Sequence, residues 1–104
     1  MKKKRNKAVE CIDGFSMSVQ AHAGAYCSPR TDVGPYTEVE VGFPNRREEL
    51  LMQYAEQPDS PTDTVYAWVP RQVVLTVIAK HGGMISGELP DGISNLWQGE
   101  HSDR

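Results

Sequence analysis

Residues 15–22 read Phe15-Ser16-Met17-Ser18-Val19-Gln20-Ala21-His22. Phe15, Met17, Val19 and Ala21 fall on one side, and Ser16, Ser18, Gln20 and His22 on the other. Strict alternation over eight residues predicts a half-buried strand, because successive side chains of an extended chain point to opposite faces. Asp13-Gly14 just before it is a turn signal. A second alternating stretch follows at Tyr36–Phe43, with Thr37, Val39, Val41 and Phe43 on one face and Tyr36, Glu38, Glu40 and Gly42 on the other. The two pair most simply as an antiparallel hairpin. Its connection, residues 23–35, is rich in Gly, Pro, Ser and Asp and reads as one long irregular loop. Loops of this length inside a small domain are uncommon and often functional.

Downstream, Asn45-Arg46-Arg47-Glu48 has a capping-box pattern, and Leu50, Leu51, Tyr54 and Ala55 share a helical face. Residues 57–63 are a turn-rich connection. Thr64–Val69 reads as a third strand with bulk on both faces, predicting an interior strand or one covered by a helix. Pro70 opens a helix over 71–81, whose stripe is Val73, Val74, Val77, Ile78 and His81, and Gly82-Gly83 stops it. Residues 84–89 offer a short edge strand. The expectation is an α+β domain in β-β-α-β-α order: a three- to four-stranded, mainly antiparallel sheet with two helices. It occupies residues 10–89, between a basic flexible arm at 1–9 and a polar tail at 90–104. Within the tail, Ile93, Leu96 and Trp97 have the spacing to clip it to the body or to a partner.

The net charge of −3 hides an asymmetry. Lys2, Lys3, Lys4, Arg5 and Lys7 crowd the first seven residues, while all the acids lie beyond them. An acidic body is a poor nucleic-acid binder, which leaves only the basic arm for such contacts. No apolar run approaches the roughly 20 residues of a membrane helix, and the start has no apolar core of a secretory signal. Cytoplasmic residence is the expectation, with Cys11 and Cys27 as reduced, buried thiols.

The loop holds most of the residues able to bind a ligand. Arg30 is a fork of donors suited to phosphate or carboxylate. Ser28 adds a hydroxyl, His22 a titratable ring, and Tyr26 and Tyr36 flat faces for stacking. Gly24 and Gly34 allow close backbone approach. Arg46 and Arg47 open a helix, where an anion is favoured, and Arg71 occupies the same place on the second helix. The bland alternatives are pairing of Arg30 with Asp32 or Glu38, and of Arg46 and Arg47 with nearby acids. Catalysis by Cys27 with His22 or His81 as base, or a metal held by Cys11, His22, Cys27 and His81, matches no known spacing. No catalytic, cofactor or metal site is expected, and the chain reads as a non-enzyme.

Asp13–Ala21, Tyr26-Cys27-Ser28-Pro29-Arg30, Gly34–Pro44, Val69-Pro70 and Lys80-His81-Gly82-Gly83 together give a pattern that resembles small accessory proteins encoded by bacteriophages and prophages, over about residues 10–89. The resemblance carries no active-site residues. It implies a counter-defence setting in the bacterial host. One form of that function is sequestration of a small anionic nucleotide-like signal, such as a cyclic nucleotide or ADP-ribose derivative, in a homo-oligomeric cage. The alternative is an inhibitor of a host defence complex, like the anti-CRISPR proteins, acting through the acidic surface that includes Glu38 and Glu40.

Overall fold

The computed structural model describes residues 5–93. The alternating segment becomes β2 (Ser16–Gln20), preceded by a short β1 (Val9–Cys11) and followed by β3 (Glu38–Gly42). A six-residue 3-10 helix (Glu49–Tyr54) leads to β4 (Val65–Pro70), α1 (Arg71–Lys80) and β5 (Met84–Ser86). The strands form one antiparallel sheet in the order β4-β3-β2-β1-β5. The α+β class and the β2–β3 hairpin are as expected, but the sheet has five strands rather than three or four. The added strand is β1, three residues next to the basic arm. Its Val9 and Cys11 point into the core and its Glu10 points out.

The alternation sorts the sheet into a dry and a wet side. Val9, Cys11, Met17, Val19, Val39, Val41, Tyr66 and Val69 are buried and join Val74, Val77 and Ile78 of α1 in one core. Each fully buried side chain of this kind contributes about 1.5–3 kcal/mol. Pro70 is the N-cap of α1, and Gly82 and Gly83 leave it at positive φ. β4 is an edge strand, not an interior one. The 3-10 helix packs against it, and the backbone after that helix partly pairs its outer edge through an Ala55–Tyr66 bridge and a Glu56 N–H to Val65 C=O bond of 2.9 Å. Such cover blunts an edge that would otherwise invite foreign strands.

The folded body also reaches past residues 10–89 at both ends. Asn6 and Gln20 exchange hydrogen bonds, and the Lys7 backbone pairs with Glu88. At the other end Ile93 is fully buried. Lys2, Lys3, Lys4, Leu96 and Trp97 lie outside the described residues. Gly87 locks β5 to the start of β1. Its φ is +110°, and a Cβ there would stand 2.3 Å from the Ala8 carbonyl oxygen and 2.6 Å from Val9 Cα. Gly87→Ala is therefore expected to cost about 1–3 kcal/mol from the backbone conformation alone, with the clash adding to it. Thermal denaturation checks this.

Candidate functional site

The long loop is not loose. It folds back over the paired strands β3 and β4. Ser28 forms a bridge with Glu38, and its hydroxyl donates to Glu38 Oε1 at 2.8 Å. Tyr26 N–H donates to Glu40 Oε1 at 3.0 Å, and Asp32 Oδ1 accepts from Ala23 N–H at 2.8 Å. His22 Nδ1 accepts from Gly24 N–H at 3.0 Å. Tyr36 is fully buried and its hydroxyl donates to the Thr31 carbonyl at 2.9 Å. The expected stacking role of Tyr36 is corrected: its ring fills the space beside Gly34, where a Cβ would come within 2.9 Å of it. His22, Ser28 and Tyr36 thus build the loop rather than face a ligand.

On the neighbouring strand, Val39 pairs with Val69 and Val41 with Tyr66. Glu40 therefore faces two residues, Ala67 and Trp68, which is a β-bulge. The bulge keeps both Tyr66 and Val69 in the core and turns Trp68 outward, 43% exposed. Trp68 sits at φ +49°, a conformation an aromatic residue rarely adopts. Its N–H, released from the ladder, donates to the Tyr26 carbonyl at 3.1 Å. The Tyr26 and Trp68 rings lie 5.1 Å apart at 37°, and the Arg30 guanidinium stands 5.5 Å from the Tyr26 ring centre. Glu38, Glu40 and Asp32 each take a donor of the loop itself. Among the described residues Arg30 has no ion pair. The pairing of Arg30 with Asp32 or Glu38 does not form.

Arg46 and Arg47 lie elsewhere and are occupied. Asn45 does not cap a helix. Its side chain accepts from Ser16 N–H and donates to the Gly14 carbonyl. The cap is Glu48, whose carboxylate accepts from Leu50 N–H at 2.8 Å. Arg46 pairs with Asp13 at 3.1 Å, and Arg47 pairs with Glu49. The expected anion site at this helix start is replaced by these two ion pairs.

Beside them is a charged cluster that the sequence reading missed. His81 Nδ1 meets Asp13 Oδ2 at 2.6 Å and its Nε2 meets Glu48 Oε1 at 2.7 Å. Lys80 Nζ reaches Glu48 Oε2 at 2.9 Å. The imidazole stacks on Phe15, with ring centres 4.1 Å apart. Carboxylates only accept, so a ring with a proton on each nitrogen satisfies both. The cluster ties the β1–β2 turn, the start of the 3-10 helix and the end of α1. Burial pushes the Glu48 carboxyl up, but the Leu50 N–H, Lys80 and His81 outweigh it and hold the group below its ordinary value. The Phe15 N–H, then His81 and Arg46, hold Asp13 below its own. Carboxyls lowered in the folded state stabilise it above their unfolded pKa, and that stability is lost as pH falls through the folded value. Melting midpoints should therefore drop below about pH 4, and Glu48→Gln should flatten that drop.

Cys11 and Cys27 are buried, the Cys27 thiol donates to the His22 carbonyl at 3.3 Å, and burial pushes the Cys11 thiol up. No metal-competent group of His, Cys, Asp and Glu occurs among the described residues, and no helix there is long and apolar enough to cross a membrane. No protein-family model, curated protein or solved structure matches this chain. The functional reading therefore rests on the geometry of its own residues.

Proposed function

We propose that the chain is a non-enzymatic binding protein that captures a small anionic, nucleotide-like ligand on the Tyr26–Trp68–Arg30 surface. The observation that carries this is the Tyr26 ring set between an exposed Trp68 held at positive φ and Arg30, which has no ion pair among the described residues. A strained residue persists only where its surroundings hold it, and such residues cluster at ligand sites. Trp68 and Tyr26 offer π faces to a base, worth about 1–3 kcal/mol per stacked base. Arg30 supplies a fork for a phosphate, and a hydrogen bond to a charged group contributes about 1.5–3 kcal/mol. In the counter-defence setting that the phage resemblance implies, this would be sequestration of a signal in the host cytoplasm. A homo-oligomer would deepen the site by adding a second wall. The alternative, an inhibitor acting through Glu38 and Glu40, is less well supported, because both carboxylates are engaged inside the loop.

The test is a fluorescence titration of Trp97→Phe, which leaves Trp68 as reporter, with a cyclic dinucleotide and with ADP-ribose. Saturable quenching is expected. Arg30→Ala should weaken it at least tenfold with the melting midpoint unchanged, since Arg30 is exposed. Equal affinity in Arg30→Ala would refute the site.

A further inference from the structure

A second feature stands apart from that surface. The two edges of the sheet differ. The chain's own backbone partly pairs the outer edge of β4 through Ala55 and Glu56. At the opposite edge, β5 pairs with β1 and with no other strand among the described residues. Met84 faces Cys11 and Ser86 faces Glu10, which are neighbours on β1, so Ile85 is the extra residue of a bulge. It is 64% exposed. Ile85 forms one lip of an apolar cleft of about 260 Å³ between α1 and β5, whose other walls include Leu75, Ile78, Met84 and Leu89. Single exposed apolar residues are ordinary, but one standing on a lined apolar cleft marks a contact surface. We propose that this edge binds a second copy of the chain across a two-fold axis, with Ile85 of each copy seated in the cleft of the other.

Size, shape and charge select this occupant. The cleft is smaller than the about 300–1,000 Å³ of small-molecule sites, and an aliphatic side chain suits it. The same patch carries both a projecting apolar side chain and an apolar recess. An isologous contact needs that pairing, because one surface must serve as both knob and hole. The bulge breaks the edge as a template for strand pairing, so side chains rather than a continued ladder make the contact. The charges beside the patch are of both signs. Glu88 Oε1 accepts from Lys7 N–H at 2.7 Å, and Glu10 Oε1 accepts from the Ser86 hydroxyl at 3.3 Å. A rim of one sign would repel its own copy, whereas this one lets Lys7 of one copy face the carboxylates of the other. Seven residues line the cleft, against the roughly 20–30 per side of a standard interface, so the association is weak and reversible.

The experiment is analytical ultracentrifugation of the full chain from micromolar to millimolar protein. The average mass should rise from monomer toward dimer. Ile85→Asp, a change at an exposed position, should leave the melting midpoint in place and raise the dissociation constant at least tenfold. Ser86→Cys puts a thiol beside the axis, and mild oxidation should cross-link that variant into dimers. A cysteine at exposed Asp59, in the connection leading to the opposite edge strand, should cross-link far less. A monomer at every concentration would overturn the proposal. So would a dimer that Ile85→Asp leaves intact, or one that cross-links equally well through Asp59→Cys.

Discussion

Glu48→Ala is expected to lower stability by about 3–5 kcal/mol, the usual cost of removing one partner from a buried ion pair. Glu48 is 2% exposed, and its two oxygens accept from Leu50 N–H, Lys80 Nζ and His81 Nε2. Lys80 is half exposed and can return to water. His81 and the Leu50 N–H are less free, and an unsatisfied buried donor costs about 1–3 kcal/mol. Because the cluster joins three segments far apart in sequence, its loss also loosens the 3-10 helix against α1. Glu48→Gln keeps shape and one acceptor and should lose less. Glu49→Ala, which breaks the exposed pair with Arg47, should change stability by less than about 1 kcal/mol. Urea denaturation of the three variants checks this order. A loss in Glu48→Ala no larger than in Glu49→Ala would contradict the role assigned to the cluster.

Trp68→Gly separates stability from binding. Glycine adopts φ +49° without strain, which recovers about 1–3 kcal/mol. The variant also gives up the ring contact with Tyr26, worth about 0.5–1.5 kcal/mol. The two nearly cancel, and stability should stay within about 1 kcal/mol of the native chain. Affinity for a nucleotide-like ligand should fall roughly 5- to 150-fold, the equivalent of the 1–3 kcal/mol of one stacked base. Trp68→Ala keeps the strained backbone and loses the ring, so it should be the less stable of the two. Denaturation and ligand titration on the same samples give both readouts. If both variants are destabilised alike and bind normally, Trp68 is a structural residue.

Much of the fold was legible because its strands alternate cleanly. Phe15–Ala21 and Val39–Val41 present one face to the core, and Pro70 with Gly82-Gly83 brackets α1. β1 was not, because three residues carry too little periodicity to stand out beside five basic residues. Trp68 was hidden by the bulge. Tyr66 and Val69, three apart, both enter the core, and this break in the period of two was the available signal. Tyr26 and Arg30 were singled out from residue type alone, and the structure brings the two together. Tyr36 was misplaced because type does not reveal that Gly34 makes room for its ring. The cluster of Asp13, Glu48 and His81 was missed because each residue already had a local role as turn, cap or helix end. Only tertiary packing brings together groups that lie 33 and 68 positions from His81.

Native mass spectrometry of the chain with a panel of cyclic oligonucleotides and ADP-ribose derivatives tests the proposed binding function most directly. A mass shift that survives gentle activation and disappears in Arg30→Ala, with the same subunit count in both proteins, is the predicted result. A shift that persists undiminished in Arg30→Ala, or no shift across the whole panel, would contradict it.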